Sequence, residues 1–158
     1  MDDPLYQKTM DQALRLLGFK SRTRAELTER LVRKGAPVDV VERVVRRLEE
    51  LVLVDDRGLA VAVTRTARRS ARGDRRIRWD LLRRGVPRDL VDDALSGEDE
   101  NALPVADRVW EALQRRAPRL KALDPQTARR RLEGYLFRQG FDAEDVAAAL
   151  RRYFQREN

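Results

Sequence analysis

The chain of 158 residues contains no cysteine and no histidine. Disulfides are excluded, and so is any metal site built on thiolate or imidazole. Without histidine the common nucleophile triads and the HExxH zinc helix cannot be assembled. Serine occurs only at Ser21, Ser70 and Ser96, with no base placed near any of them in sequence. A GxxxxGK[ST] phosphate loop and a GxSxG elbow are both missing. Aromatic residues make up only 6% of the chain, so its cores must be built mostly of Leu, Val and Ala. No stretch approaches the ~20 apolar residues of a membrane span. Met1 to Lys8 lacks the apolar centre of a signal peptide. These absences predict a non-enzymatic, soluble, cytoplasmic protein with no catalytic residue, no cofactor and no metal.

What the chain does contain is a pattern that occurs three times. Leu31-Val32-Arg33-Lys34-Gly35 is followed by Val41 and Val45, Leu81-Leu82-Arg83-Arg84-Gly85 by Val91 and Leu95, and Leu136-Phe137-Arg138-Gln139-Gly140 by Val146 and Leu150. Leu27, Ile77 and Leu132 stand eight residues before the three glycines. A recurrence of about 50–55 residues is the scale of small helical modules, which present long surfaces rather than deep pockets.

The repeated segments read as helices. Thr23 and Glu26 form a capping box. Gly35 stops the helix that follows, because glycine alone enters the left-handed region cheaply. Pro37 opens the next helix, with Val41, Val44, Val45 and Leu48 on its buried stripe. Asp124-Pro125 starts the corresponding helix of the third copy, and Asp142 caps the last one. A further helix precedes each pair: Leu5 to Leu17 with Leu14 and Leu17 inward, about Asp56 to Ala71, and Leu103 to Ala117 with Val109, Trp110 and Leu113 inward. Leu51-Val52-Leu53-Val54 is the one β-like run, and it reads better as a helix end. Asp55-Asp56 is a pair of adjacent carboxylates. Neighbours on a helix diverge too far to clamp a metal, so the pair reads as a helix cap. The expectation is an all-α fold of three tandem three-helix repeats, 1–54, 55–97 and 98–158, forming an elongated curved array. Ser96 to Asn101 is the acidic hinge between the second and third. The absence of coiled-coil heptads predicts a monomer.

Lys and Arg outnumber Asp and Glu by 34 to 27, a net +7. A coding bias towards arginine accounts for the scarcity of lysine but not for where the charge sits. Arg65, Arg68, Arg69, Arg72, Arg75, Arg76, Arg78, Arg83, Arg84 and Arg88 are opposed within their own stretch only by Asp74 and Asp80. Ten arginines against two aspartates give +8, so the rest of the chain is near neutral. Arg65, Arg68, Arg69 and Arg72 have the spacing of one helix face, with Ala60, Val63 and Ala67 opposite. A solvated face, or one paired with acids elsewhere in the fold, is the plain account of such a stripe. A polyanion-binding surface is the sharper one, since guanidinium makes bidentate contacts with phosphate or carboxylate.

Several of these segments resemble the RecX regulatory proteins of bacteria. The similarity runs through Ala13-Leu14-Arg15-Leu16-Leu17, Ser21-Arg22-Thr23-Arg24-Ala25-Glu26-Leu27 and Leu51-Val52-Leu53-Val54-Asp55-Asp56. It continues through Gly73-Asp74-Arg75-Arg76-Ile77 and Leu81-Leu82-Arg83-Arg84-Gly85-Val86-Pro87. Leu59 departs from the family, which commonly has Phe there. The resemblance covers nearly the whole chain in order and is strongest over 13–95. It implies tandem three-helix repeats that bind the RecA recombinase and its filament on single-stranded DNA. It also implies inhibition of strand exchange, ATP hydrolysis and co-protease activity, in the setting of DNA repair and the SOS response. Arg65, Arg68, Arg69, Arg72, Arg75, Arg76, Arg83, Arg84 and Arg88 are then the candidate contacts with RecA or DNA.

Two other readings compete. A nonspecific or helix-turn-helix-like DNA-binding protein is one, but the second helix of each pair would have to enter the major groove. Arg88-Asp89-Leu90-Val91-Asp92-Asp93 and Asp142-Ala143-Glu144-Asp145 carry too many carboxylates to approach phosphates well. A scaffold for an unrelated acidic protein is the other.

Overall fold

The computed structural model describes residues 3–97 and 102–156, and among them every regular element is helical. The order is α1 (Pro4–Phe19), α2 (Arg24–Arg33), α3 (Val38–Glu50), α4 (Asp56–Arg69), α5 (Asp74–Arg83), α6 (Arg88–Ser96), α7 (Val105–Arg116), α8 (Pro125–Arg138) and α9 (Ala143–Arg156). A 3₁₀ turn over Ala117–Leu120 follows α7. The part of the acidic hinge at 98–101 lies outside the described residues.

The repeat is a packing pattern. Leu27, Ile77 and Leu132 are buried, as are Leu31, Leu81 and Leu136, and Val41, Val91 and Val146. Val45 and Leu150 are buried too, while Leu95 is half-buried. Gly35, Gly85 and Gly140 each turn the chain at positive φ, +88°, +79° and +91°, a conformation open to glycine at little steric cost.

Helix starts follow the expected chemistry. The Thr23 hydroxyl accepts from the Glu26 N–H, and the Glu26 carboxylate accepts from the Thr23 N–H, both at 3.0 Å. Asp124 accepts from the Thr127 N–H at 2.9 Å. Asp55 accepts from the Gly58 N–H at 3.0 Å and so caps α4. Asp56 reaches elsewhere, accepting from the Arg24 N–H at 2.8 Å and capping the first turn of α2. Burial pushes the Asp56 carboxyl up, and that bond only partly offsets it.

Some inward assignments are corrected. Leu14 is exposed, because the buried line of α1 runs through Thr9 and Ala13 instead. Trp110 is only half-buried, and α7 begins at Val105 rather than Leu103. Leu51 to Val54 forms the turn after α3, with Val52 at φ +57° and both Leu53 and Val54 donating to the Leu48 carbonyl. Only Val54 of the four is buried.

Residues divide into two compact units. One comprises residues up to Ala62 together with Leu81–Ala94, and the other Val63–Asp80 together with residues from Leu95 onward. The first is centred on Ala13, Leu27, Leu31, Val41, Val44, Val45 and Leu48. The second is centred on Leu113, Leu132, Leu136, Phe141 and Leu150, with Ala71 joining them.

One joint recurs in each unit. In the first, the Thr23 hydroxyl also donates to the Arg84 carbonyl at 2.6 Å, and a Cβ on Gly85 would stand 2.4 Å from the Ala25 Cβ. In the second, the Gly73 N–H donates to the Gln139 carbonyl at 2.8 Å and the Arg75 N–H to the Gly140 carbonyl at 3.2 Å. A Cβ on Gly73 would lie 2.2 Å from Gly140 backbone, and one on Gly140 would lie 2.2 Å from the Arg76 nitrogen. Gly73 and Arg75 hold the same repeat positions as Thr23 and Ala25. The start of one copy's middle helix therefore seats against the glycine turn of the next copy.

Candidate functional site

The four arginines spaced as a stripe do not share one exposed face. The buried line of α4 passes through Ala60 and Thr64 and continues to Arg68, whose side chain is 10% exposed. Arg65 and Arg69 point outward, and Arg72 is exposed beyond the helix end at Arg69. Arg75, Arg76, Arg83 and Arg88 are exposed, and Arg84 is half-buried.

Arg68 works inside its unit. Its Nε and Nη2 donate to the two Asp74 carboxylate oxygens at 3.1 and 2.8 Å, and Nη2 also donates to the Leu95 carbonyl at 2.6 Å. A second guanidinium converges there. Arg108, only 3% exposed, donates from Nη1 to Asp74 at 3.1 Å and to the Arg72 carbonyl at 2.8 Å. Burial alone would raise the Asp74 carboxyl, but the Arg68 bonds and the charges of Arg68 and Arg108 hold it below the ordinary carboxylate range. Two arginines on one carboxylate leave a surplus positive charge, and Arg108 Nε is buried with no partner among the described residues. Sequence reasoning missed Arg108. The available signal was a charged residue in the apolar line of α7, beside Val109 and Ala112.

Arg84 is likewise held within the first unit. It makes a bidentate bond to Glu26, Nε to Oε1 at 2.8 Å and Nη2 to Oε2 at 3.0 Å, and Nη2 also donates to the Ser21 carbonyl at 3.3 Å. Burial raises the Glu26 carboxyl, while the Arg84 and Thr23 bonds outweigh it and lower the carboxyl overall. The capping box and this ion pair share one carboxylate.

Three outward arginines of the second unit make ion pairs near its surface. Arg72 and Arg76 share Asp80, each at 3.2 Å, and Arg75 stands 3.8 Å from Asp142. Ion pairs with this much solvent exposure hold one another weakly. Around Arg75, Arg76 and Arg138 lie two exposed aromatic side chains, Trp79 and Phe137, which sequence reasoning did not single out. Arg76 sits 4.7 Å from the centre of the Trp79 ring. In the first unit, Asp89, Asp92 and Asp93 on α6 are all exposed, an acidic surface ill suited to a DNA groove. Among the described residues no cluster of acidic side chains has metal-binding form, and no helix is long and apolar enough to cross a membrane.

Models of the first, second and third three-helix domains of RecX match residues 10–48, 55–95 and 105–150. Regulatory protein RecX of Chlorobium limicola is 33% identical over 144 residues, covering 90% of this chain and 87% of that one. Regulatory protein RecX of Mycobacterium ulcerans is 40% identical over 131 residues, covering 81% and 74%. The crystal structure of RecX from Lactobacillus salivarius has the same fold, with a TM-score of 0.78 at 19% identity and coverage of 94% and 96%.

Proposed function

Since the chain belongs to the RecX family of regulatory proteins, we propose that it is a negative regulator of the RecA recombinase. It binds RecA and the RecA filament on single-stranded DNA in the cytoplasm. Through that binding it inhibits strand exchange, ATP hydrolysis and co-protease activity. It acts as a monomer and by contact, with no catalytic step of its own. The observation that carries this reading is the match of all three helical domains in order along the chain.

The exposed guanidiniums form the contact: Arg65, Arg69, Arg72, Arg75 and Arg76 in one unit, Arg83 and Arg88 in the other. Arg68 and Arg84 act indirectly, by fixing the backbone that presents their neighbours. Because the modules are linked, each needs only modest affinity for its own stretch of filament.

The test is RecA ATP hydrolysis on single-stranded DNA with this protein titrated in. Inhibition well below one molecule per RecA protomer is the expected result. Undiminished hydrolysis at equimolar protein would overturn the proposal.

A further inference from the structure

The cleft between the start of α5 and the end of α8 is lined by Arg75, Arg76, Trp79, Phe137, Arg138 and Gly140, all in the second unit, and measures about 230 Å³. That is smaller than the ~300–1,000 Å³ of small-molecule pockets. It is also open, so it suits part of an extended chain rather than an enclosed ligand. Trp79 is 47% exposed and Phe137 44% exposed.

The repeats themselves show that the fold does not ask for these rings. Six residues before the repeat glycine, where Trp79 stands, the other copies have Glu29 and Gly134. Three before it, where Phe137 stands, they have Val32 and Leu82. The module thus forms with a carboxylate or no side chain at the first position, and with an aliphatic at the second. Two half-exposed rings in a chain so poor in aromatics are placed for something other than the core.

Their surroundings fix the chemistry. Three guanidiniums line the cleft: Arg75 pairs with Asp142, Arg76 pairs with Asp80 and lies over one face of the Trp79 ring, and Arg138 completes the set. The floor is held by the Gly73–Gln139 and Arg75–Gly140 backbone bonds, so the site is formed before any partner arrives. A preformed site avoids the ordering cost of a mobile one. Basic side chains that follow a phosphate backbone, interleaved with aromatic surfaces, are the recurring device for holding single strands. A duplex hides the faces of its bases and cannot use the rings. An acidic peptide would satisfy the arginines and leave the rings idle.

We propose that this cleft is a stacking platform for the unpaired bases of single-stranded nucleic acid. Phe137 and the Trp79 ring, whose one face Arg76 already covers, offer ring surfaces to bases, and Arg75, Arg76 and Arg138 take the phosphates. This rests on reading the exposed arginines as an anion-binding surface. The test therefore uses the full chain without recombinase, so that it reads the platform apart from regulation.

Affinity is measured at one fixed salt concentration for four probes: a short oligothymidylate, an abasic strand of equal length, a duplex and an oligoglutamate. The oligothymidylate should bind about tenfold or more tighter than the abasic strand, since one stacked base is worth that factor. Trp79→Leu and Phe137→Leu should each remove most of this difference while leaving abasic binding and the melting curve unchanged. Phe137→Leu places at that position the residue found at Leu82, so the fold accepts it. Trp110→Phe leaves Trp79 as the sole tryptophan, and its fluorescence should quench on adding oligothymidylate and not on adding the abasic strand. Equal affinity for the two strands, or oligoglutamate displacing oligothymidylate at similar concentration, would overturn the platform. Losses confined to Arg75→Gln and Arg138→Gln would also overturn it while sparing the anion-binding surface. No effect from either pair of variants would overturn both.

Discussion

Alanine at three turn glycines separates backbone strain from steric exclusion. Gly35 has φ +88° and open space where a Cβ would stand. Gly73 lies outside the left-handed region, but its Cβ would meet the Gly140 carbonyl at 2.2 Å. Gly140 combines the two, with φ +91° and a Cβ 2.2 Å from the Arg76 nitrogen. Gly35→Ala should therefore cost only strain, ~1 kcal/mol once the entropy lost from the unfolded chain is set against it. Gly73→Ala pushes on backbone that has no rotamer to escape into. Overpacking of ~1–3 kcal/mol, with the Gly73–Gln139 and Arg75–Gly140 bonds weakened, brings it to about 3 kcal/mol. Gly140→Ala should reach about 4 kcal/mol. For a chain of this length the melting point falls by about 3 °C for Gly35→Ala and about 12 °C for Gly140→Ala. Urea and thermal unfolding followed by circular dichroism read the energies. Hydrogen exchange at the Arg75 amide reads the joint directly, and should accelerate in Gly73→Ala and Gly140→Ala but not in Gly35→Ala. Gly140→Ala behaving like Gly35→Ala would refute the interlocked turn.

Asp74→Asn leaves Arg68 and Arg108 facing one another without their carboxylate. Since Asp74 itself is partly exposed, the loss should be about 2 kcal/mol, below the 3–5 of a fully buried pair, read as a drop in urea midpoint. The acid limb of stability follows from three depressed carboxyls, Asp74 and Glu26 in ion pairs and Asp124 through its Thr127 backbone bond. Their contribution is complete above the unfolded carboxylate range near pH 4 and is lost as pH falls through their lower folded values. Asp56, with its carboxyl raised, runs the other way and adds stability as it takes up its proton. Urea midpoints measured from about pH 7 to about pH 2 should thus fall below about pH 4, and Asp74→Asn should flatten that fall. Arg65→Gln, Arg69→Gln and Arg72→Gln together should weaken inhibition of RecA ATP hydrolysis with a stability change under ~1 kcal/mol. Arg68→Gln should do the reverse, lowering stability with the exposed guanidiniums still in place. Equal loss of inhibition per unit of lost stability in both would remove the surface arginines from the contact.

Most of the fold was legible because its signals are local. The capping box at Thr23, the positive-φ glycines and the apolar residues at fixed offsets all act within one or two helical turns, where sequence spacing equals spatial spacing. The candidate site was less so. Spacing alone groups Arg68 with Arg65, Arg69 and Arg72, yet it lies on the buried line of Ala60 and Thr64 and meets Asp74 and Leu95. Arg108 comes to the same carboxylate from 34 residues away. No periodicity reports a pairing between elements. Charge density picks out a stretch of chain without separating guanidiniums that face outward from those that hold the fold.

The repeats offer a way to make that separation. Positions where the three copies agree, such as Leu31, Leu81 and Leu136, are explained by the core and say nothing of function. Differences divide into two kinds. At Thr23 and Gly73 the residues differ because two chemistries make the same joint, a hydroxyl donating to the Arg84 carbonyl in one case and a backbone N–H donating to the Gln139 carbonyl in the other. At Glu29, Trp79 and Gly134 no shared structural task accounts for the change, and the tryptophan is half-exposed beside three arginines. A repeated fold states its own structural requirements three times over. What a single copy carries beyond them, exposed and beside surplus charge, is where a partner is to be sought.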